Sequence, residues 1–116
     1  MKVLQSRGYV ASYHWGRNIE EVSRAVLDLG PVVLGTNWHQ IMSTPNFKGR
    51  IKVGGRVVGG HAYLLIGVNL RTGVGTICNS WGMKWGKDGL ATITLTDLDY
   101  LIQSRGEAAL ALEVKR

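Results

Sequence analysis

Gly59-Gly60-His61-Ala62-Tyr63-Leu64-Leu65-Ile66-Gly67-Val68, followed after one turn by Val74-Gly75-Thr76-Ile77-Cys78-Asn79-Ser80-Trp81-Gly82, is the stretch whose reading decides the fold. Ala62 to Val68 is the longest apolar run in the chain, and it has the length of a strand. Arg71-Thr72-Gly73 turns the chain, and Val74 to Asn79 forms a neighbouring strand. His61 then opens one strand and Asn79 closes the next. An Asn side-chain oxygen can accept a ring N–H and fix an imidazole in one orientation. Trp81 can roof that bond and keep water from it.

Upstream, Tyr9 to Trp15 reads as an extended segment. Asn18 is placed to cap a helix, with Glu21 at the capping-box position. Ile19, Val22, Ala25, Val26 and Leu29 recur at helical spacing, so a helix is expected over 19–29. Gly30-Pro31 ends it. Val32 to Trp38 reads as a buried strand, and His39 to Ser43 as one helical turn. Phe47 to Val53 alternates like a half-buried strand. Gly54-Gly55 and Gly59-Gly60 read as turns, and Arg56-Val57-Val58 as more sheet. Downstream, Leu90 to Thr96 is a strand, Thr96 caps a short helix over 97–104, and Glu107 to Val114 closes the sheet. The expected fold is α+β: a twisted, mostly antiparallel sheet or partial barrel, with one leading helix and a short late one.

The chain has 116 residues, which makes it one domain, 1–116, large enough for a single core. Hydrophobic residues are 45% and charged residues 19%, a globular composition rather than a disordered one. One Cys excludes an internal disulfide and suits a reducing compartment, so a cytoplasmic location is expected. No apolar run reaches the length of a signal peptide or membrane span. Met1 reads as the start of a separately translated chain. The net charge is +6, with Lys48, Arg50, Lys52 and Arg56 in one short segment. Their alternation with Phe47, Gly49, Ile51 and Val53 reads as a solvated hairpin face. No nucleic-acid motif accompanies them, so nucleic acid is not an expected partner. No metal site or cofactor is expected. His14 and His39 read as satisfied core or rim residues. Cys78 neighbours Asn79 on a strand, so it should face away from His61, into the core behind the cleft, as a small buried hydrophobe.

Gly60-His61-Ala62 before an apolar strand, then Asn79-Ser80-Trp81-Gly82, Trp85-Gly86 and Gly89, resemble the papain-like cysteine peptidases. Gly30-Pro31-Val32-Val33, Asp97-Leu98 and Gly106-Glu107-Ala108 extend the resemblance over roughly residues 9–114. It looks closest to the short branch found in bacterial and phage genomes. It implies a β-rich right-hand lobe without the lobe that carries the Cys nucleophile and the Gln of the oxyanion hole. It further implies His61 as general base, Asn79 as its orienting partner, Trp81 as shield and Trp85 as the packing aromatic beneath. Trp38, Met42 and Tyr63 are expected near the face where the missing lobe docks. Such a chain would be non-catalytic alone, a protein-binding module or a dimer joined through the cleft face. The alternative is one half of a split peptidase completed by a Cys-bearing chain.

Overall fold

The computed structural model describes residues 10–16 and 18–114, with side chains described for 18–109. Tyr9 and the side chain of His14, both assigned above, lie outside that range. The elements are β1 (Val10–Gly16), α1 (Ile19–Leu29), β2 (Val32–His39), a 3-10 turn (Gln40–Ser43), β3 (Val57–Asn69), β4 (Val74–Cys78), β5 (Leu90–Thr94), α2 (Leu95–Gln103) and β6 (Glu107–Val114). The six strands form one open antiparallel sheet in the order β1-β6-β2-β3-β4-β5. The α+β class and the antiparallel sheet agree with the pattern of the sequence. No helix among the described residues is long and apolar enough to cross a membrane.

One face of the sheet is packed and the other is open, as strand alternation requires. Val32, Leu34, Thr36 and Trp38 of β2 point inward, and so do Tyr63 and Leu65 of β3, Ile77 of β4 and Ile93 of β5. Val22, Ala25 and Val26 of α1, with Leu98, Leu101 and Ile102 of α2, pack on that face. The Asn18 side chain accepts from the Glu21 N–H at 2.9 Å, so α1 starts where its cap is. Gly30 ends it with φ +107°, a value that a side chain would strain.

Three expectations need correction. Phe47 to Val53 is not a strand. The Asn46 side chain accepts from the Lys48 and Arg50 N–H groups and curls the chain into a loop. That loop bonds through Gly49 and Ile51 to Thr92, along the outer edge of β5, and Phe47 is 86% exposed. Gly59-Gly60 is not a turn either. β3 runs unbroken from Val57, with Gly60 opposite Asn37 and Gly59 opposite Trp38. The irregularity is a bulge between Trp38 and His39, which absorbs Val58. Finally, α2 begins at Leu95, and its cap is Thr94, whose side chain accepts from the Asp97 N–H at 3.2 Å.

The cap assignment is checked by two substitutions. Thr94→Ala should lower unfolding stability by ~1 kcal/mol. Thr96→Ala, at an exposed helical position, should stay within about 0.5 kcal/mol of the parent. Urea denaturation of both variants measures the contrast.

Candidate active site

β3 and β4 are paired with Leu64 opposite Cys78 and Leu65 opposite Ile77. The register puts Asn79, just past β4, on the packed side of the sheet beside Tyr63 and His61. His61 Nε2 and Asn79 Oδ1 are 2.7 Å apart. The same Oδ1 accepts the Ser80 backbone N–H at 3.0 Å. An atom that accepts an amide N–H is the oxygen, so the orientation of the Asn79 amide follows. The ring must then donate from Nε2, and the neutral imidazole keeps its lone pair on Nδ1. Asn79 is 5% exposed, its backbone N–H is donated to Gly89, and its Nδ2 is buried with no partner among the described residues.

Aromatic rings wall the imidazole on several sides. Trp81 lies 4.9 Å from it between centroids, tilted by 34°. Tyr63 stacks on it at 5.8 Å and 21°. Trp38 meets it edge-on at 4.9 Å. Trp38 also touches Tyr63, Trp81 and Trp85, which makes it the hub of the cluster. Its indole N–H donates to Ser43 Oγ, and the Trp85 indole N–H donates to the Ser43 carbonyl. Ser43 therefore ties both rings to the 3-10 turn. Trp81 is the exposed member at 45%; Trp38 and Tyr63 are buried. Met42 is fully buried and accepts from the His39 N–H, so it offers no surface to a partner. Trp85 packs against the core.

Tyr63 OH and Thr36 Oγ1 are 2.8 Å apart. Thr36 Oγ1 donates to the Asn37 carbonyl, so it accepts from the tyrosine. Burial is the main cause that pushes the Tyr63 hydroxyl up to about 12, opposed by that hydrogen bond. His39 is a satisfied histidine, as its sequence setting indicates: its Nδ1 donates to the Gly55 carbonyl at 3.0 Å.

Cys78 needs a correction. It does face away from His61, but not into the core. It is half-buried on the open face of the sheet, in a depression of about 270 Å³ with Val33, Ala62 and Leu64. The packed face lies on the other side of its strand. Beside it, a groove of about 390 Å³ runs past His61, floored by Gly35, Gly60 and Ala62 and rimmed by Arg105 and Glu107. Arg105 and Glu107 carry no motif. They arrive because β6 inserts between β1 and β2, a crossover with no local sequence signature. A separate depression along α1, around Ser23 and Leu27, shares no residue with this groove. Among the described residues, no group of three His, Cys, Asp or Glu side chains could hold a metal.

The imidazole is thus held by an Asn and roofed by a tryptophan, and its Nδ1 has no hydrogen-bond partner among the described residues. Known proteins of similar sequence are cysteine proteinases. The chain is 31% identical over 80 residues to cathepsin B-like cysteine proteinase 6 of Caenorhabditis elegans, covering 66% of the chain and 21% of that protein. It is 36% identical over 83 residues to the cathepsin B-like cysteine proteinase of Schistosoma japonicum, covering 68% and 24%. It is 32% identical over 98 residues to cathepsin B-like cysteine proteinase 3 of Ostertagia ostertagi, covering 72% and 55%. This chain is related to the papain-like cysteine proteases.

It spans between about a fifth and about half of the length of those relatives. No protein-family model matches it. The fold agrees with solved structures of the same kind. Procathepsin B S9 of Trypanosoma congolense superposes with a TM-score of 0.70 at 19% identity, over 93% of this chain and 38% of the other. Xylellain, a cysteine protease from Xylella fastidiosa, superposes at 0.67 and 19%, over 89% and 40%.

Two measurements check the site. Asn79→Ala should free the ring, and ¹⁵N spectra of His61 should change from one tautomer, protonated at Nε2, to a mixture. Tyr63 tests the alkaline limb. The unfolded chain ionises this group near 10 and the folded chain holds the proton to about 12. Unfolding therefore releases a proton above pH 10, and stability falls as pH rises from there. Tyr63→Phe should remove up to ~3 kcal/mol of that alkaline loss, read from denaturation midpoints at pH 9 to 12.

Proposed function

We propose that this chain supplies the base-bearing half of a papain-like peptidase site, is non-catalytic alone, and works by docking a protein partner on its cleft face. The observation that carries the reading is the 2.7 Å bond from His61 to Asn79, which leaves Nδ1 without a hydrogen-bond partner among the described residues. A pair oriented in this way has a use only if a thiol is brought to it. Cys78 is on the wrong side of the sheet for that role. Trp81, 45% exposed and 4.9 Å from the His61 ring, gives a Cys-bearing body an apolar surface to cover on the side of the sheet that the imidazole occupies. That body is either a separate chain or a segment outside these 116 residues.

In the completed site, His61 Nδ1 takes the thiol proton and leaves a thiolate–imidazolium pair. The thiolate attacks the scissile carbonyl carbon. The imidazolium returns its proton to the leaving amine as the C–N bond breaks, and water then hydrolyses the thioester. Asn79 holds Nε2–H throughout, so the ring does not rotate between its two proton transfers. Absence of the nucleophile costs on the order of 10⁴- to 10⁶-fold in rate, which is why no turnover is expected from the half alone.

The test is peptide hydrolysis and labelling by a peptidyl epoxide, with the purified chain and after addition of a Cys-bearing papain-like lobe. The chain alone should neither turn over nor be labelled at Cys78. Turnover that needs the added lobe and is lost in His61→Ala supports the proposal. Turnover by the chain alone that is lost in Cys78→Ser overturns it. A stable two-fold dimer that excludes the added lobe would instead make the face a self-association surface.

A further inference from the structure

The basic residues set aside above as a solvated face have a placement that the cleft does not use. Residues 29–96 hold seven of the fourteen Lys and Arg but one carboxylate, Asp88, so this stretch carries the whole formal net charge of +6. The fold then gathers much of it in one place. The Asn46 side chain pins the turn that presents Phe47, Lys48 and Arg50. Gly49 and Ile51 fasten that turn to Thr92 of β5 through backbone bonds of 2.9 and 2.8 Å. Lys87, from the loop after Asn79, lies against Gly49, where a Cβ would meet its Cγ at 3.2 Å. Lys84 is on the same loop, which the Trp85 indole ties to Ser43. Arg50 Nε is fixed on Thr92 Oγ1 at 2.8 Å.

We propose that this surface, built from Phe47, Lys48, Arg50, Lys84 and Lys87, docks an acidic polypeptide segment. Its two loops are braced before any partner arrives, which lowers the entropy that docking must overcome. Phe47, 86% exposed, and Met83, 69% exposed, add apolar contact among the charges. A flexible chain carrying several carboxylates matches that mixture. A nucleic acid fits it less well, because Lys48 Nζ lies over the Phe47 ring at 5.7 Å and occupies the face on which a base would stack. The proposal stands apart from the peptidase reading, since none of these five residues touches His61 or Asn79.

The experiment is fluorescence anisotropy with a labelled glutamate-rich peptide containing one leucine, and a single-stranded oligonucleotide as competitor. Lys48→Glu with Lys87→Glu should weaken peptide binding at least tenfold. Arg71→Glu, in the turn at the opposite end of β4, should change it less than twofold. Binding should weaken as salt rises from 50 to 200 mM. Circular dichroism checks that each exposed variant is folded. Equal losses from Arg71→Glu and from the Lys48/Lys87 pair would reduce the effect to overall charge and overturn the proposal. So would tighter binding of the oligonucleotide, or no measurable binding of the peptide.

Discussion

The Asn79 side-chain oxygen accepts two hydrogens at once, one from the His61 ring and one from its own chain at Ser80. That shared acceptor fixes the amide, the amide fixes the imidazole, and the imidazole fixes which nitrogen is open to chemistry. The arrangement is not free. Asn79 Nδ2 is left buried without a partner among the described residues, a cost of about 1–3 kcal/mol. A side chain with this penalty persists because the surrounding packing is rigid enough to hold it. The β3–β4 register supplies that rigidity, with Leu65 and Ile77 fully buried next along the strands on the same face.

The aromatic cluster does the rest of the positioning. Trp38, deep in the cluster, touches His61, Tyr63, Trp81 and Trp85, and its own N–H is satisfied by Ser43. Water kept off the His61–Asn79 bond cannot compete for it, so a hydrogen bond of modest worth in solvent is strengthened in place. Trp81 is the one ring of the wall that is also exposed, so it alone borders solvent. The cleft face is thus stiff below and open above.

Much of this was legible in local signals. Asn18 and Glu21 mark the start of α1, and the Gly60-His61-Ala62 and Asn79-Ser80-Trp81 strings mark the site. The failures have physical causes. Alternation across Phe47 to Val53 imitates a strand, but Asn46 captures the backbone N–H groups that a ladder would need. A Gly-Gly pair reads as a turn until a neighbouring strand supplies partners, which β2 does for Gly59 and Gly60. Thr94 and Thr96 are equal candidates for a cap, and the end of β5 decides between them. Thr36, Ser43, Arg105 and Glu107 reach the site through tertiary pairing, and no spacing in the chain announces them.

The position of Cys78 follows from parity alone. Side chains on a strand alternate, and Ile77 is fully buried while Leu64, opposite Cys78, is 39% exposed. Bringing the Cys78 thiol to the packed side would require β4 to slip by one residue. That slip would turn Ile77 out into solvent and move every β4 contact to the wrong face. It would also carry Asn79 away from His61. The single sulfur of this sheet and the His61–Asn79 pair therefore exclude one another geometrically: any arrangement that brings the first to the imidazole dismantles the second.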